Sequence, residues 1–234
     1  MNDIKSILIS ACLVLRNEEA LVERCLKSFA SLVDEIIVVH DGPCTDQTLA
    51  ICRSYGAKIF EKDFVSIDAH RVFSFQEARG EWILQIDADE FLSPDLALNL
   101  RELVKNKDIN AYEFLWPLFD GQKYFTKNWP YKRCLVRRTS LSFLALPHFV
   151  MEVTGKICQK NFLLEHRPLY NNFTWSIFNK KWRRRAIIQA NLYTSDFSQI
   201  PKFNYHKNTW PLSIRVRRIC PLLVLPLDFL LVFF

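Results

Sequence analysis

The first half of the chain alternates short apolar runs with amphipathic, helix-like stretches. After the first run, apolar residues three or four positions apart form one helical stripe: Val22, Cys25, Phe29 and Leu32. The apolar runs themselves occupy residues 7–15, 36–39, 57–60 and 82–86. Because strands that alternate with helices favour parallel pairing, this pattern predicts an α/β fold: a mostly parallel sheet with helices on both faces.

Turn and capping residues divide this alternation into units. Thr45 or Asp46 can cap the helix after the second run, and Gly56 can end it. After the fourth run, Ser93 as an N-cap followed by Pro94 predicts a further helix, which extends to about residue 104. Beyond this helix the alternation stops, and an irregular second half is expected.

Carboxylates follow two of the apolar runs. Asp41 follows the second run, and Asp87, Asp89 and Glu90 follow the fourth. The carboxyl ends of parallel strands meet at the sheet edge that faces the ligand crevice, so these side chains are expected to converge. Two such carboxylates can hold a hard divalent cation, which in turn can hold a phosphate. An Asp-x-Asp pair alone is also compatible with a solvated turn, but its combination with Asp41 favours a functional site.

Composition sets the outer limits. With 234 residues and 50 % apolar content, the chain can bury a sizeable core as one large domain or a domain with an elaborated end. The net charge of +6 favours anionic ligands or a negatively charged membrane surface. The sequence contains no recognisable RNA-binding motif, so a nucleic-acid partner is not indicated. Seven scattered cysteines without a CxxC pair indicate neither a zinc site nor a disulfide framework. The N-terminus lacks signal-peptide features, so a cytoplasmic protein is expected.

Five short segments carry a family resemblance. They are Arg16-Asn17-Glu18, residues 38–46, Ala69-His70-Arg71, Gly80-Glu81-Trp82 and Asp87-Ala88-Asp89-Glu90. Together they resemble the nucleotide-sugar-binding half of family-two glycosyltransferases, whose GT-A fold contains a Rossmann-like, mostly parallel sheet. The pattern is similar to that of the bacterial lipopolysaccharide-core β-glycosyltransferases. The resemblance implies transfer of a sugar from a nucleotide-diphosphate donor.

The same resemblance assigns roles at the carboxylate edge. Asp89 would bind Mn²⁺ or Mg²⁺, Asp87 would contact the ribose and Asp41 the base. A metal ion there would stabilise the departing diphosphate as a Lewis acid. Three further residues would line the nucleotide pocket: Arg16, Glu18 and Arg71. The 16–18 segment is equally compatible with a simple helix start.

The second half is expected to bind the acceptor. Its aromatic residues, dense between positions 111 and 149, suit a core more than a sugar-stacking platform. Inverting transfer needs a carboxylate base, and Glu152 is the candidate because the subgroup shows a His-Glu pair ahead of a glycine about here. In this chain Met151 precedes Glu152 and the nearest histidine is His148, while Asp120 and Glu90 remain alternative bases.

Basic residues and a histidine follow this segment. His166 resembles a later histidine of the subgroup that approaches the metal or diphosphate, although a structural histidine is the alternative. The run at 180–185 is the densest group of charges in the chain. Lys181 and Arg184 would clamp the diphosphate; alternatively, the run is a solvated helix face.

The C-terminal tail suggests contact with a membrane. A basic stretch at 215–218 precedes an apolar one at 219–234, which contains Pro221, Pro226 and Asp228. A spanning helix needs roughly 20 apolar residues, so interfacial attachment is expected instead. Packing of the tail on the domain, or pairing of two chains through it, is the alternative.

The sequence therefore predicts a three-part chain. Residues 1–110 form the nucleotide-sugar-binding half, 111–190 the aromatic-rich acceptor and catalytic-base half, and 191–234 the basic and apolar tail. The expected function is metal-dependent, inverting glycosyl transfer to a glycan or glycolipid of the cell envelope, at the inner face of the membrane. A sugar-nucleotide nucleotidyltransferase and an inactive, glycan-binding scaffold are the alternatives.

Overall fold

A computed structural model describes residues 8–124, 129–146, 149–171, 174–207 and 211. Within these ranges the first half contains five strands: β1 Ile9–Leu15, β2 Glu35–Asp41, β3 Lys58–Lys62, β4 Trp82–Gln85 and β5 Glu90–Leu92. Four helices connect or follow them: α1 Glu19–Phe29, α2 Thr48–Ser54, α3 Ile67–Glu77 and α4 Pro94–Leu103. The second half adds β6 Ala111–Leu115, β7 Tyr131–Arg137, β8 Leu141–Leu144, β9 Glu152–Val153, β10 Ile157–His166, α5 Trp175–Thr194 and β11 Lys202–Phe203.

Eight strands form one sheet in the order β3-β2-β1-β4-β7-β6-β10-β5. The first four pair in parallel, as do β6 and β10, whereas β7 and β5 run antiparallel to their neighbours. The predicted α/β fold with a mostly parallel sheet is confirmed. Strands β6, β7 and β10 of the second half extend this same sheet, while β11, β8 and β9 form a small antiparallel one.

Both faces of the sheet are covered, which explains why β1 and β4 are buried along their whole length. One face packs against α1 and α4 through residues such as Val22, Phe29 and Leu100. The opposite face packs against α3 through Val72 and Phe75. The prediction of helices on both faces is therefore confirmed.

Local sequence signals set several element boundaries. The Ser93 hydroxyl accepts a hydrogen bond from the Leu96 amide at 3.3 Å, with Pro94 at the first helical position, as predicted. Gly56 follows α2 with a φ of +73°, a conformation that ends helices. The N-cap of α2 is Gln47 instead of the predicted Thr45 or Asp46, and it makes no side-chain cap hydrogen bond; Asp46, one residue earlier, accepts a hydrogen bond from the Thr48 amide at 2.9 Å.

Gly80 allows a close approach between β4 and β1. Its amide donates to the Ser10 hydroxyl at 2.7 Å. A Cβ atom at position 80 would lie 2.5 Å from that hydroxyl oxygen and 2.7 Å from the Ser10 amide nitrogen. A glycine is therefore required at position 80, where the chain entering β4 passes close to β1.

The predicted membrane-binding tail at 215–234 lies outside the described residues, as does His148. Among the helices within the described ranges, none has the length and hydropathy needed to cross a bilayer.

Candidate active site

Residues 87–90 follow β4 and form a turn that contains three carboxylates, which we call the acidic turn. Two of these carboxylates are partly exposed to solvent and one is buried in the core. Asp87 and Asp89 each keep about a quarter to a third of their side-chain surface exposed, whereas Glu90 is fully buried. The Asp87 amide donates to Glu90 Oε2 at 3.0 Å and closes the turn. The turn thus presents two aspartates at the carboxyl edge of the sheet.

Asp87 is held by two cations. Arg71 Nη2 lies 3.2 Å from Asp87 Oδ1, and Lys132 Nζ lies 3.1 Å from Oδ2. Gln85 donates a further hydrogen bond at 3.0 Å. Burial opposes the charged form, but Lys132 and Arg71 outweigh it and hold the pKa of Asp87 well below its usual range. Asp87 is therefore a fixed, ionised acceptor.

Lys132 also binds the buried Glu90. Its Nζ lies 2.6 and 2.7 Å from the two carboxylate oxygens, and Trp116 Nε1 donates to Oε1 at 2.6 Å. Although burial disfavours the ammonium, Asp87 and Glu90 raise the pKa of Lys132 above its usual value. With both oxygens accepting hydrogen bonds, Glu90 is better suited to holding Lys132 than to acting as a general base.

Asp89 faces His166. Its Oδ2 lies 3.3 Å from His166 Nε2, and its carbonyl accepts a hydrogen bond from the Arg167 amide at 2.7 Å. The imidazole stacks on Trp116 with ring centroids 4.3 Å apart, while its buried Nδ1 has no hydrogen-bond partner among the described residues. The strand pairing that aligns His166 with Glu90 brings these distant residues together.

The Asp89–His166 pair can supply two metal ligands, an oxygen and a nitrogen. Within the described ranges no group of three or more His, Cys, Asp or Glu side chains could hold an ion. The pair suits a divalent ion whose remaining positions are filled by diphosphate oxygens and water, as Mg²⁺ sites commonly are. The predicted metal ligands are thus adjacent, although their metal binding remains a prediction.

Asp41 lies at the end of β2, which β1 separates from β4 in the sheet. Arg16 Nη1 is 3.1 Å from Asp41 Oδ2, and His70 Nε2 is 3.4 Å from Oδ1. His70 is buried and its Nδ1 contacts the Ser66 carbonyl at 2.8 Å, so it packs as a structural histidine while bracing Asp41. Asp41 is therefore oriented from two sides.

The 16–18 segment forms a link between two loops instead of a simple helix cap. Asn17 has a φ of 52°, and its Oδ1 accepts a hydrogen bond from the Thr45 amide at 2.9 Å. Helix α1 begins at Glu19 without a side-chain cap. Burial raises the pKa of Glu18 to about 7; the Arg16 amide opposes this shift, and the charges of Asp87 and Asp89 add to it.

Glu152, the predicted base, lies on the small sheet and is exposed. The preceding Met151 carbonyl accepts a hydrogen bond from Arg133, which also binds Glu113 at 2.8 Å. Consecutive strand residues point to opposite faces, so Arg133 and Lys132 diverge. No contact within the described part of the chain joins Glu152 to the acidic turn, and its role remains a prediction.

The other predicted candidates also have defined surroundings. Asp120 accepts hydrogen bonds from the Gln122 and Lys123 amides at 2.9 and 2.8 Å, which suits a turn residue. On α5, Lys181 Nζ lies 5.4 Å from the centre of the Tyr170 ring, and Arg184 is exposed. Phosphate binding by Lys181 and Arg184 remains a prediction.

Sequence reasoning missed Lys132 and Trp116, which link Asp87, Glu90 and His166. Lys132 precedes the buried part of β7, and Trp116 directly follows β6. Neither has a sequence partner at a diagnostic spacing, because both contacts depend on pairing between distant strands. For Lys132, the available sequence signal was a pair of basic residues, Lys132 and Arg133, directly before an apolar strand segment.

Comparison with known proteins identifies similar sequences and a similar fold. Residues 10–173 match glycosyl transferase family 2. An uncharacterized glycosyltransferase of Rickettsia bellii is 34 % identical over 112 residues, which cover 48 % of this chain and 38 % of that protein. The lipopolysaccharide core biosynthesis glycosyltransferase LpsC of Rhizobium meliloti is 29 % identical over 105 residues, covering 43 % of this chain and 38 % of LpsC. The chain therefore spans little more than a third of the length of these curated relatives.

A solved structure shares the fold. Glucosyl-3-phosphoglycerate synthase from Mycobacterium tuberculosis, in complex with Mn²⁺, uridine-diphosphate and glucosyl-3-phosphoglycerate, gives a TM-score of 0.52 at 17 % identity, with 79 % of each chain covered. The GT-A fold expected from the resemblance is confirmed. The match over residues 10–173, which is more than two thirds of the chain, confirms the family: the chain belongs to glycosyl transferase family 2.

Proposed function

We propose that the protein transfers a sugar, with inversion and with the help of a divalent metal ion, from a nucleoside-diphosphate donor to a glycan or glycolipid. The supporting observation is the division of the acidic turn. Two cations neutralise Asp87, whereas Asp89 faces His166 and keeps part of its carboxylate exposed. Asp87 is thus a fixed hydrogen-bond acceptor that suits a ribose hydroxyl. The adjacent Asp89–His166 pair suits a metal ion that binds the diphosphate.

In this proposal the nucleoside lies along the ends of β2, β1 and β4. Asp41 accepts a hydrogen bond from the base and Asp87 from the ribose. Arg71, which is fixed between Asp68 at 3.1 Å and Asp87 at 3.2 Å, contributes positive charge to the nucleotide pocket. Two residues of the β1–α1 loop complete the pocket: Arg16 and Glu18.

Mn²⁺ or Mg²⁺ would be held by Asp89 and His166. When bound, the ion stabilises the charge that develops on the departing diphosphate. Stacking on Trp116 fixes the plane of His166, so its Nε2 points to Asp89 without reorganisation. The Mycobacterium tuberculosis synthase with the shared fold has been solved with Mn²⁺ and uridine-diphosphate, which supports a divalent ion here.

The acceptor side follows from the second half of the chain. Glu152 takes the proton from the acceptor hydroxyl, and Lys181, which is less exposed than Arg184, contacts the diphosphate. LpsC, a relative over 43 % of the chain, is named for lipopolysaccharide core biosynthesis, which supports a cell-envelope glycan or lipid-linked acceptor. The enzyme would then work in the cytoplasm at the inner face of the membrane.

A product assay tests the proposal. The protein is incubated with a panel of nucleotide sugars, with Mn²⁺ or with a chelator, and the released nucleotide is identified. We expect nucleoside diphosphate release that needs metal and is abolished by Asp89→Asn, while Asp95→Asn on the exposed first turn of α4 retains activity. A parallel reaction with a nucleoside triphosphate and a sugar 1-phosphate tests the alternative, because only a nucleotidyltransferase would join them and release pyrophosphate. Donor binding without any release would indicate an inactive, glycan-binding scaffold.

A further inference from the structure

Helix α5 carries an exposed basic face. Its 20 residues contain five lysines and arginines and no aspartate or glutamate. The helix packs through its C-terminal half, where Leu192 is buried and Ile188 contacts the cluster that contains Leu144 and Leu146. Exposed residues occur in both halves of the helix.

Four exposed positions near the middle of α5 lie on one helical stripe. Lys180, Arg183, Arg184 and Ile187 are all exposed. Positions spaced by three, four and seven residues lie on the same side of a helix, so the three cations share one face with Ile187. We define these four residues as the basic face of α5.

Exposed apolar side chains lie on α5 and on the segment just before it. Ile187 is 63 % exposed, and Trp175, at the start of the helix, is 70 % exposed. Leu169 and Tyr170, shortly before the helix, are 64 % and 52 % exposed. Four of the nine exposed large hydrophobic residues in the described ranges therefore fall within residues 169–187.

We propose that the basic face of α5 docks the protein on an anionic membrane leaflet. Cations beside exposed aliphatic and aromatic side chains are the composition of interfacial helices, which combine attraction to anionic lipids with shallow apolar insertion. A nucleic acid would use the cations but gain little from Ile187. The purpose of this docking rests on the proposed lipid-linked acceptor, whereas its test needs no donor or transfer.

Vesicle sedimentation tests the charge requirement. The full chain is mixed with vesicles of phosphatidylcholine alone or with phosphatidylglycerol, and K180Q/R183Q/R184Q is compared with K27Q/K105Q/K107Q. Each cation near an anionic surface multiplies partitioning roughly five-fold, so the α5 variant should bind about 100-fold more weakly. The control removes the same charge elsewhere on the surface, and it should bind like the wild type.

A second pair of variants tests the apolar requirement. Ile187→Ser should weaken binding to mixed vesicles several-fold, whereas Leu98→Ser, at a position that is 82 % exposed on α4, should not. The proposal is wrong if the wild type does not prefer the anionic vesicles, or if the two triple variants bind equally. It is also wrong if the α5 variant loses affinity for a polynucleotide but keeps its vesicle binding.

Discussion

Replacement of Lys132 by Met tests whether the contacts of this lysine with Asp87 and Glu90 stabilise the acidic turn. Lys132 Nζ lies 2.6 Å from Glu90 Oε1 and keeps 19 % of its side-chain surface exposed, while Glu90 has none. Removing one partner of a buried ion pair leaves the other charge without compensation. The free energy of unfolding should therefore fall by about 3–5 kcal/mol.

Lys58 provides a matched control. Its Nζ also lies 2.6 Å from a glutamate, Glu77, but 52 % of its side-chain surface is exposed. Lys58→Met should cost less than about 1 kcal/mol, because water screens the exposed pair. Urea unfolding of both variants, followed by circular dichroism, measures the difference. Equal losses would refute the reasoning, since Lys132 is more buried than Lys58 and also binds a second carboxylate, that of Asp87.

The double variant K132M/E90Q and the pH dependence test the cause of the loss. Removing the uncompensated carboxylate with Glu90→Gln should restore part of the stability. Burial raises the pKa of Glu90, and without Lys132 the main opposing charge is absent. A carboxyl group whose pKa is raised on folding stabilises the fold at low pH and loses this effect as the pH rises through the folded pKa. K132M should therefore be closer to wild-type stability in mild acid than at neutral pH.

Three further outcomes are expected. Glu18→Gln should flatten the dependence of stability on pH between 4.5 and about 7. Burial raises the pKa of Glu18 from 4.5 to about 7, so the protonated carboxyl group stabilises the fold at low pH and this effect is lost as the pH rises. Gly80→Ala should lower the free energy of unfolding by roughly 1–3 kcal/mol in urea titrations, since its Cβ would overlap Ser10. Gly42→Ala is the comparison, because its Cβ would meet no atom within 4 Å and the only cost would come from the φ of +74°. Glu152→Gln should abolish turnover but leave donor affinity unchanged in calorimetry, and near-normal turnover would remove Glu152 from the mechanism.

The first half of the fold was predictable because its signals are local. Fully buried strands give continuous apolar runs, and Gly56, Ser93 and Pro94 end or begin helices through their own backbone preferences. Because β2, β1 and β4 are parallel, the carboxylates that follow β2 and β4 lie at the same edge of the sheet. Asp41, Asp87 and Asp89 could therefore be placed before the structure was known.

The second half was harder to predict because its order depends on pairing between distant strands. β7 enters between β4 and β6, and β10 pairs with β5 although more than 60 residues separate them. Lys132 and Trp116 reach the acidic turn only through this arrangement. A site role for His166 was predicted from the resemblance, whereas its stacking on Trp116 and its approach to Asp89 depend on the register of β10.

The most direct test of the account is a calorimetric titration of the nucleoside diphosphate that the donor assay identifies, with and without Mn²⁺. If Asp89 and His166 hold the ion that binds the diphosphate, Mn²⁺ should tighten binding of this nucleotide in the wild type. Asp89→Asn should remove this metal dependence while retaining weak, metal-independent binding. Equal tightening by Mn²⁺ in the wild type and in Asp89→Asn would contradict the assignment of the metal site.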